Sequence, residues 1–166
     1  MKEYYISLGS NMGDRRKYLS AALTGMEARG IVVLARSSLY ETLPWGKTDQ
    51  PLFLNAVIRA GWDGEPEELM RRLLAVEEEN GRKRKVHWGP RTLDLDLIIG
   101  SEERNNALLR LPHPYFWDRA FVLVPLAEIA PDFTWHGESL TDRIRALHGE
   151  SAVQKAGPFE ETEEIQ

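Results

Sequence analysis

An antiparallel α+β plait is the fold this chain predicts, and three observations carry the prediction. The hydrophobic periodicity runs in the order strand, helix, strand, strand, helix, strand. Both helical segments have their own start signals, and a strand near residue 95 alternates leucine with acid. That order is a split β-α-β arrangement, a βαββαβ core whose four-stranded sheet carries both helices on one face and leaves the other face for ligands.

Tyr4 to Leu8 reads as the first strand, closed by the turn-rich Gly9-Ser10-Asn11-Met12-Gly13. Asp14 can cap a helix through about Ala28, with Leu19, Ala22, Leu23 and Met26 at helical spacing, and Gly30 stops it. Ile31 to Tyr40 reads as the second strand and Phe53 to Trp62 as the third. The stretch between them, with Pro44, Gly46 and Pro51, is a long loop, and such loops inside compact domains are usually functional. Pro66 opens the second helix, whose Leu69, Leu73, Leu74 and Val76 lead to Glu79. A second long loop then precedes the fourth strand. Beyond Gly100 come a polar patch, Ser101 to Asn106, the segment Leu108 to His113, and a short helix around Arg119 to Ile129 broken by Pro125. The acidic Glu160 to Glu164 reads as a loose tail. The whole chain, 1–166, reads as one domain, with about 134–166 as an extension of unknown role.

Chemistry concentrates at Trp88-Gly-Pro-Arg-Thr-Leu-Asp-Leu-Asp96. From Thr92 to Ile99 the chain alternates, so Leu93, Leu95, Leu97 and Ile99 share one face while Thr92, Asp94 and Asp96 share the other. At about 3.3 Å per residue the aspartate Cα atoms lie roughly 7 Å apart, close enough for both carboxylates to converge on a cation or a cation pair. With no cysteine and four histidines in the chain, such oxygen ligands suit Mg²⁺ rather than zinc. A bare D-x-D is more often the polar face of a half-exposed strand. Here, however, the preceding loop carries Arg82, Lys83, Arg84, Lys85 and Arg91 and no acid, bracketed by Gly81, Gly89 and Pro90. Cationic forks beside a dicarboxylate are the parts that hold polyphosphate, so a nucleotide is the favoured ligand.

Composition bounds the rest. The 166 residues, 42% hydrophobic, suffice for one core, and a net charge of −5 makes the basic loop a local feature rather than a nucleic-acid coat. The absence of cysteine fits a reducing cytoplasm. The N-terminus lacks a signal-peptide core and the longest uncharged apolar stretch, Ala120 to Ala127, is too short to span a bilayer, so a cytoplasmic protein is expected. Gly46-Lys47-Thr48 looks like the end of a phosphate-binding loop, but position 41 is Glu rather than Gly and Asp49-Gln50-Pro51 opens no helix.

Taken in order, Tyr40-Glu-Thr-Leu-Pro-Trp-Gly46, Phe53-Leu-Asn-Ala56, Glu77 with Gly81-Arg82, Trp88 to Asp96, Pro112-His-Pro114, Arg119-Ala-Phe-Val-Leu123 and Pro125-Leu126 closely resemble the 6-hydroxymethyl-7,8-dihydropterin pyrophosphokinases of folate biosynthesis. The resemblance covers about Tyr4 to Phe133. It implies a ferredoxin-like plait with long active-site loops, and transfer of the β,γ-pyrophosphoryl group of ATP to the pterin hydroxymethyl oxygen with two Mg²⁺ ions. By position it implies that Asp94 and Asp96 hold the ions and that Arg82 and Arg91 engage the polyphosphate. Arg84, Trp88, His113 and Arg119 resemble positions at or near ATP. Thr42, Pro44, Trp45, Phe53, Asn55 and Phe121 resemble the pterin pocket, with Phe53 where some relatives carry tyrosine and its hydroxyl.

The chemistry of these residue types suits those roles. A flat, polar pterin needs aromatic faces and an amide that both donates and accepts, which Phe53, Phe121 and Asn55 offer. Each also has an ordinary reading: core aromatics, a turn asparagine, a loop histidine at His113, a helix-end residue at Arg119. ATP and the pterin are the expected partners of what is expected to be a monomer, with no nucleic acid and no membrane. On the residues alone other classes stay open. An RNA-binding plait would show an aromatic stripe on its central strands, a simple kinase would move only the γ-phosphoryl group, and a regulatory plait would need no metal pair.

Overall fold

The structure, a computed structural model, describes residues 1–42, 52–81 and 92–159. Its first half follows the expected order. Strand β1 is Lys2–Ser10, helix α1 Arg15–Glu27, β2 Val32–Arg36, β3 Leu39–Thr42, β4 Phe53–Trp62, α2 Pro66–Glu79 and β5 Asp94–Gly100. Asp14 does cap α1, accepting from the Lys17 amide at 3.2 Å. The other end closes as a Schellman motif: the Ile31 and Gly30 amides reach back to the carbonyls of Met26 and Glu27 across Gly30 at φ 80°.

The expected second strand is two. Between β2 and β3, Ser37 interrupts the ladder, its hydroxyl accepting from the Val57 amide at 3.0 Å in place of a backbone carbonyl. Both pieces pair with β4, and the main sheet runs β10-β3-β4-β1-β5, antiparallel throughout. Six strands therefore stand where four were expected. The sixth, β10 (Val153–Gly157), comes from the C-terminal region and lies along β3.

Helices α1 and α2 cover one face of this sheet. Leu19, Leu23 and Met26 from α1 and Leu69, Leu73 and Val76 from α2 meet Ile6, Leu8, Leu54, Leu95 and Leu97, all buried. Each such side chain contributes roughly 1.5–3 kcal/mol by leaving water. Leu74 is only half-buried, outside that stripe. At the far end of β5 a bulge opposite Tyr5 and Ile6 inserts an extra residue. Ile98 lies on the opposite face as alternation requires, and the bulge brings Ile99 to that face too, so Ile99 does not share a core with Leu93, Leu95 and Leu97 as strict alternation predicts.

The opposite face is not left open over its whole length. After a short hairpin, β6 (Arg104–Asn105) and β7 (Arg110–Leu111), and a 3-10 turn at Phe116–Asp118, helix α3 (Ala120–Ile129) crosses it. Then follow the hairpin β8 (Thr134–Trp135) and β9 (Glu138–Ser139), helix α4 (Leu140–Ala146) and the single turn α5 (Gly149–Ala152). Val57 and Ile98 of the sheet pack there against Phe116, Val122, Leu123, Leu126, Leu140 and Ile144 in a second core. Pro125 does not break α3. It forfeits one amide bond in the first turn and a half, and the apolar side chains buried around it outweigh that loss. The C-terminal region, with few signals in the sequence, thus supplies both a sheet edge and part of this core. Among the described residues no helix is long and apolar enough to cross a membrane.

Candidate active site

Strand register brings distant residues into rows on the face opposite α1 and α2. Asn55 of β4 pairs with Gly9 of β1, which pairs on its other side with Asp94 of β5; one step along, Val57, Ser7 and Asp96 form the next row. Thr42 of β3 faces Phe53. The intervening Leu54, Leu8 and Leu95 are buried in the first core, so alternation turns Asn55, Asp94 and Asp96 to the other side together. Four strands from different parts of the chain converge there, between the open end of the sheet and the N-terminus of α3.

Thr42 and Asn55 are both buried, and the Thr42 hydroxyl donates to Asn55 Oδ1 at 2.6 Å. This fixes which end of the carboxamide points where. Phe53 is half-buried beside them, and Phe121 packs in the first turn of α3 against the second core. Helix α3 is itself pinned to β3 at its far end. Glu128 accepts from the Ser38 amide and hydroxyl, each at 2.9 Å, and from the Tyr40 hydroxyl at 2.7 Å. Burial and the neighbouring carboxylate push the Tyr40 hydroxyl's pKa up. Burial alone would raise Glu128, but the hydrogen bonds from Ser38 and Tyr40 hold it below the ordinary carboxylate range. The clamp sets where the other end of α3 presents Arg119 and Phe121.

Asp94 and Asp96 are half-buried on an edge strand, with Ser7 alongside Asp96. Among the described residues no three side chains of His, Cys, Asp or Glu gather into a metal cage. Two carboxylates reachable from one side are nevertheless the donor set Mg²⁺ takes when phosphate oxygens and water complete its shell, so these residues fit that ion.

His113 is tied to β5 through its amide, which donates to the Ile98 carbonyl at 2.7 Å. Burial, then the Arg119 charge, lower its pKa to about 4, and Asp94 opposes them, which puts the imidazole within electrostatic reach of that carboxylate. The Tyr115 amide donates to His113 Nδ1 at 3.2 Å, so the neutral ring carries its proton on Nε2 and offers a donor there. The Arg119 guanidinium lies over the rings of Tyr115 and Phe121 at 5.7 and 5.6 Å. It stands at the N-terminal end of α3, where a cation opposes the helix dipole. That placement does nothing for the helix and leaves a cation available to an anionic ligand.

The structure therefore brings Thr42, Phe53, Asn55, Asp94 and Asp96 onto one sheet face and sets His113 and Arg119 together near its β5 side. Pro44, Trp45, Arg82, Arg84, Trp88 and Arg91 lie outside the described residues. The sequence motifs give no role at the site to Glu77, which is 1% exposed and accepts from the Leu95 amide at 2.7 Å, between the two aspartates. A signal existed: Glu77 follows Leu73 by four residues, which puts a carboxylate on the apolar stripe of α2. The sequence marks Gly9 only as a turn residue, whereas the fold pairs it inside β1.

Comparison with known proteins gives a consistent result. The family described as 7,8-dihydro-6-hydroxymethylpterin-pyrophosphokinase (HPPK) matches residues 5–131. A 2-amino-4-hydroxy-6-hydroxymethyldihydropteridine pyrophosphokinase of Methylorubrum extorquens is 43% identical over 150 residues, covering 89% of this chain and 94% of that protein. The Bacillus subtilis protein of the same name is 44% identical over 127 residues, covering 75% of this chain and 76% of its own length. Among solved structures, a crystal structure of HPPK-DHPS in complex with substrates aligns with a TM-score of 0.69 over 93% of this chain at 9% identity. A Plasmodium falciparum HPPK-DHPS aligns with a TM-score of 0.65 over 87% of this chain at 12% identity. The chain spans 46% and 45% of the length of those two solved chains, whose likeness at such identities concerns the ferredoxin-like fold alone.

Proposed function

Because this chain belongs to the 7,8-dihydro-6-hydroxymethylpterin-pyrophosphokinase family, we infer that it transfers the β,γ-pyrophosphoryl group of ATP to 6-hydroxymethyl-7,8-dihydropterin in folate biosynthesis, releasing AMP. The observation that carries this reading is the row Asn55, Gly9, Asp94. It sets an amide suited to a pterin edge beside a carboxylate suited to a phosphate-bound cation, on one surface.

In the reaction the pterin hydroxymethyl oxygen attacks the β-phosphorus in line. An O–P bond forms, the bond from the β-phosphorus to the α,β-bridging oxygen breaks, and AMP leaves while the hydroxyl proton passes to solvent. The pterin would lie between Phe53 and Phe121 with its polar edge on Asn55, oriented through Thr42. His113, neutral and donating from Nε2, and Arg119 would hold the nucleotide's phosphates without a proton changing hands at neutral pH. Asp94 and Asp96 would hold two Mg²⁺ ions, which supply neutralisation of triphosphate charge. By resemblance, Arg82, Arg91, Arg84 and Trp88 would close on the nucleotide, and Pro44 and Trp45 on the pterin. Positioning and electrostatics then supply most of the rate, so no side chain need act as general base.

We propose further that the chain works as a cytoplasmic monomer on small molecules, apart from nucleic acid and membranes. Two carboxylates on the sheet face, and α3 across part of it, disfavour an RNA backbone there. The test is nucleotide product analysis with MgATP, with and without the pterin. Pterin-dependent AMP is expected; ADP would mean simple γ-phosphoryl transfer, and no turnover by folded protein would refute the enzyme reading.

A further inference from the structure

Gly9 occupies the middle of the row that joins the pterin side of the site to the carboxylate side. We propose that Gly9 is a positioning residue for the pterin: its missing side chain is the slot in which the Asn55 carboxamide is held. The proposal rests on the pyrophosphokinase reading and concerns a residue for which that reading needs no role.

Glycine inside a strand weakens it, so its presence there calls for a reason. Backbone conformation is not that reason, since Gly9 is absent from the positive-φ glycines and pairs on both sides as ordinary extended strand. Space is. A Cβ at Gly9 would lie 2.8 Å from Asn55 Nδ2, whereas its next neighbours, Phe53 Cδ1 at 3.7 Å and the Leu54 carbonyl at 3.9 Å, are at ordinary contact distances. Of these three atoms only the carboxamide would have to move.

That group cannot move without loss. Asn55 Oδ1 accepts from the Thr42 hydroxyl at 2.6 Å, and both residues are buried. With the oxygen fixed on the β3 side, Nδ2 is directed over Gly9, where its hydrogens meet an acceptor on the pterin edge. Displacing Nδ2 by the several tenths of an ångström that a methyl requires either breaks the Thr42 bond or rotates the donor away from the ligand. Strands spaced about 4.8 Å apart put the backbones of Asn55 and Asp94 roughly 10 Å from each other across Gly9. The bare glycine is thus also the floor over which the hydroxymethyl arm passes from the amide toward the phosphates.

A double-mutant cycle tests this: Gly9→Ala, Asn55→Ala and both together, with kcat, the KM for pterin, the KM for MgATP and the melting temperature measured for each. Gly9→Ala should raise the pterin KM about tenfold, the scale of one lost hydrogen bond, with the MgATP KM within about twofold of wild type. In the Asn55→Ala background the same change should cost almost nothing, because the clashing group is gone. A wild-type pterin KM in Gly9→Ala, or effects that multiply independently, would overturn the proposal. If Gly9→Ala alone fails to fold, the double variant should recover the melting temperature of Asn55→Ala; a double variant that also fails refutes the slot. Wild-type protein that makes no pterin-dependent AMP would instead overturn the pyrophosphokinase reading, while the melting comparison still reports on the Gly9–Asn55 contact.

Discussion

Replacing Glu77 by alanine would separate the support of the aspartate strand from the aspartates themselves. Glu77 projects from α2 into the first core, is 1% exposed, and accepts from the Leu95 amide at 2.7 Å. Leu95 lies between Asp94 and Asp96, so this bond sets the height of the strand segment that carries both. In Glu77→Ala the Leu95 amide loses its acceptor inside the core, at about 1–3 kcal/mol. The deleted carboxyl and methylene also leave a hole, for a net of about 2–4 kcal/mol. For a chain of this size each kcal/mol moves the melting temperature by about 2–4 °C, so a fall of about 4–16 °C is expected. Glu77→Gln keeps an acceptor oxygen and the shape, and should stay within about 3 °C of wild type. The assay is calorimetric melting of both variants, with the KM for MgATP measured alongside; the alanine variant should raise that KM severalfold and the glutamine variant much less. An alanine variant that melts within about 2 °C of wild type with an unchanged MgATP KM would refute the reasoning.

Two other outcomes follow from the same geometry. Asp94→Asn and Asp96→Asn, at half-buried positions, should fold normally yet lower turnover on the order of a hundredfold or more, read by steady-state kinetics at saturating MgATP; near-normal turnover in either removes that residue from the cation site. His113 should titrate with a midpoint near 4, followed by NMR of its ring protons, because burial and Arg119 disfavour its charged form. Its folded value lies below the unfolded value of about 6.5, so the folded state binds fewer protons between the two. The stability His113 contributes is complete above about pH 6.5 and lost as pH falls toward 4, worth about 1–2 kcal/mol once its partial solvent access is allowed for. A midpoint near 6.5 would contradict the burial and the effect of Arg119.

Much of this molecule is legible before any coordinates. The alternation of Leu93, Leu95 and Leu97 with Asp94 and Asp96, the stripe Leu19, Ala22, Leu23, Met26, and the cap at Asp14 are local patterns, and local patterns follow from the 2.0 and 3.6 residue periods of strand and helix. These determined the βαββαβ order, the faces of the helices, and the joint projection of the two carboxylates. What they could not determine depends on partners far away in the chain. Ser37 splits a strand only because the Val57 amide needs an acceptor there, and the bulge at Ile98 diverts Ile99 only because a second core formed by α3 and α4 receives it. The edge strand Val153–Gly157, weak in pattern, is held by ladder bonds to β3 rather than by any propensity of its own. The candidate site shows the same division. Sequence alone determined which residue types were present to bind a cation, a nucleotide and a flat heterocycle. The tertiary structure decided that Asn55, Gly9 and Asp94 share one row, because register is set by the pairing of whole strands and the burial of one entire face, and no single segment carries that information.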